Sequence, residues 1–155
     1  MLESAQAGLC WETILKKRDG YRRAFYHFDP QKVAQMTNEE LEQLLTNPDI
    51  IRNRLKIYAA RNNALVFLKI QQVFGTFDQY IWQFVNHKPI INHWQEPAQV
   101  PTATRESELL SRDLKKHGMT FVGPTIIYAY MQAIGMVNDH LTNCWCRQTD
   151  EQDEV

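Results

Sequence analysis

The sequence feature that most constrains the fold is the stretch 51–73, in which apolar residues recur at helical spacing. The apolar positions, at separations that include three, four and one, are Leu55, Tyr58, Ala59, Leu65, Val66 and Ile70. This spacing gathers apolar side chains on one side of an α-helix and leaves the other side polar. The pattern therefore predicts a long amphipathic helix from Ile51 to Val73, and other elements must pack against its apolar side.

Helix start and stop signals divide most of the remaining chain into shorter helices. Asp29 before Pro30 is typical of an N-cap followed by the first helical residue. Thr37 followed by Glu40 resembles a capping box. The other predicted helices cover 2–17, a segment capped by Thr76, 106–116 and 124–133, and 86–104 is expected to be a loop. No alternating strand pattern of useful length occurs, so the predicted fold class is all-α with a single helical domain.

Length and composition narrow the class of protein. The 155 residues carry 17 Lys+Arg and 18 Asp+Glu, and 44% of them are hydrophobic, which favours one folded domain. The sequence has no apolar run long enough for a transmembrane helix and no signal-peptide pattern, so a cytoplasmic protein without membrane contact is expected. We expect a domain over residues 1–146 and an acidic, disordered tail over 147–155, whose removal would leave the domain at a net charge of +2.

Basic residues cluster in ways that can suit a phosphate backbone. The stretch 50–73 holds five basic residues and no acid, a second cluster lies over 16–23, and Lys115 and Lys116 form a third. The alternative is that each cluster is an ordinary solvated helix face. Three clusters together favour a phosphate-tracking surface.

The segment from Leu114 to Thr125 is predicted to join two helices through a tight hairpin. Gly123 lies where the next helix begins, so free backbone N–H groups there could hold a phosphate with no side chain in the way. Lys115 and Lys116, one turn earlier, would add positive charge. The alternative is a packing corner between two helices with no ligand.

Glu3 and Trp11 are eight residues apart, a little over two helical turns, and would fall roughly on one face of the predicted first helix. A carboxylate and an indole on one face suit a flat cationic heterocycle, because the ring stacks on the cation and the carboxylate accepts from its N–H edge. The alternative is a core tryptophan beside a surface glutamate.

The three cysteines, Cys10, Cys144 and Cys146, show no disulfide framework spacing. Cys144 follows His140 by four residues, which would place both side chains on one face of a helical turn. Such a pair can supply two zinc ligands, but a structural zinc site needs four. The alternative is a buried thiol near a histidine.

Taken together, the sequence blocks strongly resemble the DNA-3-methyladenine glycosylase I family. The blocks span Glu3 to Cys146 and include the runs 3–11, 13–18, 28–30, 50–54, 84–87, 101–102, 114–116, 121–123 and 137–140. The resemblance implies a helix-hairpin-helix fold and monofunctional excision of 3-methyladenine from double-stranded alkylated DNA during base excision repair, by a monomeric enzyme.

The resemblance also implies roles for individual residues. Glu3 matches the carboxylate that reads the methylated base, which makes it the catalytic and base-binding candidate, and Trp11 matches the aromatic on which the base stacks. The DNA-binding candidates are Gly8 and Leu9 at the gap in the duplex, Lys115 and Lys116, and Gly123 and Thr125 in the hairpin. His140 and Cys144 match two of the four ligands of a structural zinc, and Asp139 is expected to be structural.

The chain departs from the family pattern at its start. Family members normally begin about thirty residues before the position of Met1, and that segment carries the other two zinc ligands and part of the base pocket. Smaller departures are Ser4, Ala5, Cys10 and Pro124. The alternative function is therefore a truncated, catalytically impaired fragment that retains only DNA-backbone binding through its hairpin. A helical interaction protein without a nucleic-acid role is a third possibility.

Overall fold

A computed structural model describes the backbone of residues 1–150 and the side chains of residues 1–147. The described chain forms ten α-helices: α1 (Leu2–Gln6), α2 (Trp11–Lys16), α3 (Arg18–Ala24), α4 (Pro30–Ala34), α5 (Asn38–Leu44), α6 (Arg54–Phe74), α7 (Phe77–Trp82), α8 (Arg105–Lys116), α9 (Pro124–Ala133) and α10 (Trp145–Asp150). Short 3-10 turns cover Tyr26–Phe28, Gln83–Val85 and Pro97–Gln99. The all-α prediction is confirmed.

The sheet content of the described chain is one two-residue parallel pair within otherwise irregular loops. Strand β1 (Ile90–Ile91) pairs with strand β2 (Val137–Asn138). The pair fastens the 86–104 loop, predicted to be irregular, to the segment that follows α9. Among the described residues, no helix is both long and apolar enough to cross a membrane.

Capping side chains start several helices where the sequence predicts. The Asp29 carboxylate accepts from the backbone N–H groups of Gln31 and Lys32. Thr37 and Glu40 form a reciprocal capping box at the start of α5, and Thr76 caps α7. These short-range signals hold because each cap satisfies N–H groups that the first helical turn leaves without partners.

Two predicted boundaries are wrong. The helix predicted over 2–17 breaks at Gly8, which adopts φ +76° and separates α1 from α2. The tail predicted from residue 147 begins inside α10, and the Arg147 side chain is only 5% exposed. Its guanidinium donates to the carbonyl oxygens of Asn92 (2.6 Å) and His140 (3.1 Å), so Arg147 belongs to the folded domain. Residues 151–155 of the predicted tail lie outside the described residues.

Two apolar clusters form the core and meet along α6. The N-terminal cluster packs α1 to α5 against the first half of α6 and includes Ile14, Phe25 and Ile57. The C-terminal cluster packs α7, α8 and α9 against the second half and includes Ile70 and Leu110. The amphipathic character of α6 thus has a direct structural consequence, because this helix is the common support of both halves.

Candidate functional site

A cavity of about 300 Å³ lies between the two core clusters. Residues of both clusters contribute to its walls, among them Phe25 and Ile57 from the N-terminal side and Leu114 and Ile127 from the C-terminal side. Most of the lining side chains are apolar. The polar ones are Glu3, Ser4, Tyr21, Lys56, Asn63 and Tyr130. Such a concave, mostly apolar space with a few polar groups is typical of a small-molecule site.

Among the residues that the structure describes, Glu3 supplies the one carboxylate in the lining of this cavity. Burial raises the pKa of Glu3 because water is partly excluded from its charged form, while the Met1 amino group acts in the opposite direction. A carboxylate that has lost hydration gains more from a cation than an exposed one does. The geometry therefore suits recognition of a positively charged group that enters the cavity.

Trp11 does not share a helical face with Glu3, so that prediction is wrong. Gly8 turns the chain after α1, and Trp11 becomes the first residue of α2, packed against the N-terminal core cluster. The indole is not among the side chains that line the cavity. Stacking of a base on Trp11 thus remains a prediction without support from the cavity walls.

Other aromatic rings line the cavity, and the sequence reasoning did not identify them as site residues. They are Tyr21, Phe25, Phe28, Phe67, Phe77, Phe121 and Tyr130. Phe28 and Phe121 stand at φ +64° and +54°, a backbone region that bulky residues rarely occupy. Such strain is found mainly where the surrounding structure or the function requires it. These two rings are therefore the most informative alternatives to Trp11 as stacking partners.

The segment after Glu3 reaches the surface as a turn. Gly8 has open space where a Cβ would stand, and the Leu9 side chain is 38% exposed. The carbonyl oxygens of Ala5 and Ala7 accept from the Lys56 ammonium at 2.9 and 2.6 Å. Lys56 therefore ties this turn to α6.

Most bases of the two larger predicted clusters have intramolecular partners. Arg54 pairs with Glu42 at 2.6 Å, and Arg61 donates to the Met36 carbonyl oxygen. In the 16–23 cluster, Lys17 donates to the Pro48 carbonyl oxygen and Arg23 pairs with Asp49. These contacts favour a structural role for the two clusters over a continuous phosphate-binding surface.

The hairpin between α8 and α9 has the predicted location. Ser111 donates its hydroxyl to the Val122 carbonyl oxygen at 2.6 Å and fixes the end of the turn against α8. Gly123 lies at φ −60°, ordinary for any residue, and a Cβ there would meet nothing within 4 Å. Glycine is therefore not required by the backbone or by internal packing, which is consistent with a surface kept clear for an external partner.

The other hairpin candidates lie close to Gly123 in sequence and are exposed. Lys115 and Lys116 form the last turn of α8, and Thr125 is in the first turn of α9. The first N–H groups of a helix have no intrahelical acceptor, so the start of α9 can offer donors to an anion. Pro124 removes one of these donors.

His140 and Cys144 lie close together, but not on a helical turn. Their loop precedes α10, and the Cys144 sulfur lies 3.6 Å from His140 Nδ1. Cys146 joins them, and the ligand atoms of the three residues all lie within 4.8 Å of one another. One nitrogen and two sulfur donors are a set that zinc accepts, but a closed structural site requires a fourth.

Asp139 lies just before this group and is held by four donors. Asn92 and Trp94 donate to one carboxylate oxygen at 2.8 and 2.7 Å, and Tyr128 and Gln132 donate to the other at 2.5 and 2.7 Å. Burial alone would raise the pKa of Asp139, but these hydrogen bonds outweigh burial and lower it. Asp139 is not in the cavity lining, which agrees with the predicted structural role.

Comparisons with known proteins give a consistent result. The sequence model of the methyladenine glycosylase family matches residues 1–148. DNA-3-methyladenine glycosylase of Haemophilus influenzae and DNA-3-methyladenine glycosylase 1 of Escherichia coli are 47% and 48% identical, over 94% of this chain and 79% and 78% of the relatives. A solved variant of 3-methyladenine DNA glycosylase I in complex with 3-methyladenine superimposes with a TM-score of 0.90, at 41% identity over 93% of this chain and 77% of that chain.

Proposed function

The chain belongs to the methyladenine glycosylase family, and from this premise we propose that it hydrolyses the N-glycosidic bond of 3-methyladenine in double-stranded alkylated DNA. The observation that carries the proposal is the cavity between the two cores, where Glu3 is the one carboxylate that the described residues place among largely apolar and aromatic walls. A damaged base must leave the stack to reach such a cavity, and poorly paired bases do so at least cost.

The chemistry requires little of the protein beyond selection and positioning. Methylation at N3 leaves a positive charge on the base, so its bond to the sugar is already weak. When water adds to C1′, the electron pair of the broken bond goes to the base, which departs neutral, and a proton is released. The Glu3 carboxylate accepts from the N–H edge of the cationic base, and an aromatic wall stacks on its face.

We assign the contacts with the DNA backbone to the hairpin. Gly123 leaves room for a phosphate, and Thr125, Lys115 and Lys116 add polar and charged groups beside it. The Gly8 and Leu9 turn is the candidate for the gap in the duplex, since it directly follows the helix that carries Glu3.

Release of free 3-methyladenine from methylated duplex DNA tests the proposal. Time-dependent release by the purified chain supports glycosylase activity. Salt-sensitive DNA binding without release would favour the alternative of a binding fragment instead. If the chain neither binds DNA nor releases the base at low salt, both the glycosylase proposal and the binding-fragment alternative are contradicted.

The pH dependence should report the ionisation of Glu3. Because burial raises the pKa of Glu3 above its ordinary value of 4.5, and the ionised form is required, kcat/KM should fall as the pH drops through that raised value. Base release measured against pH, on DNA methylated beforehand, checks this. An acid limb retained unchanged by Glu3→Gln would assign the titration to another group.

We also propose that His140, Cys144 and Cys146 supply three of the four ligands of a structural zinc, because their donor atoms are close enough and chemically suitable. The metal would tie the loop before α10 to the folded domain. Chelation should then lower the melting temperature by about 5 °C or more. Elemental analysis of the purified chain, with His140→Ala and Cys144→Ser as controls, checks the assignment, and a metal-free chain with an unchanged melting temperature would contradict it.

A further inference from the structure

Lys56 and Asn63, on one face of α6, form hydrogen bonds with backbone groups of two other segments. Lys56 donates to the Ala5 and Ala7 carbonyl oxygens. The Asn63 amide donates to the Thr120 carbonyl oxygen at 2.8 Å and accepts from the Thr120 N–H at 2.9 Å. Because Lys56 and Asn63 are seven residues apart, they lie two turns along the same face, and both line the cavity.

The Lys56 contact adds a tertiary restraint to α1, a helix too short to be stable by itself. A helix of five residues has little intrinsic stability, and Glu3 is carried on it. The Lys56 ammonium replaces lost hydration with two carbonyl acceptors at the C-terminal end of α1, where a positive charge is favoured. Desolvation lowers the pKa of Lys56, as expected for an ammonium withdrawn from water.

The Asn63 contact fixes the hairpin in a comparable way. The turn contains two residues with positive φ, Gly118 at +100° and Phe121 at +54°, and Thr120 lies between them. Asn63 closes a two-bond ring with the Thr120 backbone, as a neighbouring strand would, and Asn62 donates to the Gly118 carbonyl oxygen at 2.8 Å. The hairpin is thereby held against the middle of α6.

We propose that Lys56 and Asn63 are positioning residues, which set the Glu3 helix and the hairpin at a fixed spacing on the two sides of the cavity. This inference rests on the proposed function. Lys56 acts through α1 on the contact between Glu3 and the base, and Asn63 acts through Thr120 on the contact with the DNA backbone. Neither side chain needs to touch the base for this role.

The experiment compares Lys56→Met, Asn63→Leu and Lys69→Met in the full chain. Lys69 is an exposed base on the same helix. Lys69→Met therefore removes one positive charge from α6, as Lys56→Met does, but leaves the Lys56 hydrogen bonds to Ala5 and Ala7 intact. The measured quantities are the single-turnover rate of base release at saturating enzyme, the Kd for undamaged duplex, and the melting temperature.

Lys56→Met should lower the single-turnover rate at least about tenfold, since displacement of a reacting group by about 1 Å can cost far more. Its Kd for undamaged duplex should match that of Lys69→Met. Asn63→Leu should instead weaken duplex binding about fivefold. Lys56→Arg, whose donors can reach the same carbonyl oxygens, should recover most of the rate.

A double-mutant cycle separates positioning from general stability. If Lys56 acts through Glu3, Lys56→Met should lower the rate of the Glu3→Gln enzyme by less than twofold, whereas an independent role would lower it by the same factor as in the wild type. If Lys56→Met does not fold, Lys56→Gln takes its place. We then expect the same ranking of base-release rates and duplex affinities among the variants. A wild-type rate in Lys56→Met would overturn the inference, whereas a wild-type chain that releases no base would contradict the proposed function itself.

Discussion

Replacing Glu3 with Gln should lower the single-turnover release of 3-methyladenine by about a hundredfold, because we propose the partly buried carboxylate as the partner of a cationic base. The substitution preserves the shape of the side chain and its position in the cavity lining, so the loss reports the charge. Release of radiolabelled base from methylated duplex, under conditions of excess enzyme, measures it.

The same variant should keep or gain stability. A carboxyl whose pKa is raised in the folded state contributes stability that is complete below the unfolded pKa and is lost as pH rises through the folded one. At neutral pH the ionised Glu3 therefore costs folding free energy, and Gln removes that cost. Glu12→Gln, at an exposed site paired with Lys16, is the matched control and should leave the rate unchanged. A Glu3→Gln enzyme with the control's rate would refute the assignment of Glu3.

Gly123→Val should weaken binding to duplex DNA by about thirtyfold while the protein folds normally. A Cβ at Gly123 meets no atom within 4 Å and the backbone is at φ −60°, so neither the backbone nor nearby atoms oppose a Cβ there. The valine side chain would, however, exclude a phosphate from the start of α9, because its methyl groups occupy the space in front of the first N–H groups. Fluorescence anisotropy with a labelled duplex measures the loss at fixed salt.

Two further measurements on Gly123→Val identify the cause. Its melting temperature should match that of the wild type, and its affinity for free 3-methyladenine should be unchanged, because Gly123 is not in the cavity lining. Gly123→Ala should have an intermediate effect on duplex binding. Wild-type affinity for DNA in the Val variant would show that the backbone does not approach the hairpin at this point.

The features that the sequence predicts correctly depend on short-range interactions. The caps at Asp29, Thr37 and Thr76 satisfy N–H groups two or three residues away, and Pro124 begins α9 because its ring presets a helical φ. The periodicity of 51–73 likewise identifies α6, whose observed range is Arg54–Phe74. Each cap signal lies within a few residues and the α6 pattern within one continuous segment, so tertiary packing does not alter them.

The features that the sequence does not predict arise where a turn or loop redirects the chain or where distant segments meet. Gly8 ends α1 early, and this separates Glu3 from Trp11 despite their helical spacing. The absence of acids around Lys56 suggests a phosphate-binding surface. In the structure, its ammonium instead donates to the carbonyl oxygens of Ala5 and Ala7, which are 51 and 49 residues away in sequence. The ligand atoms of Cys146, His140 and Cys144 lie within 4.8 Å of one another across a loop and the start of α10, where the spacing predicts a helical turn. Residue types and spacing alone do not encode these approaches.

The central claim is that the Glu3 carboxylate recognises the damaged base inside the cavity between the two cores. A crystal structure of this chain with bound 3-methyladenine tests it most directly. We expect the base in the cavity, with a carboxylate oxygen of Glu3 about 2.6–3.2 Å from a ring or amino nitrogen and an aromatic wall against its face. A base bound elsewhere, or bound in the cavity with Glu3 turned away from it, would contradict the account.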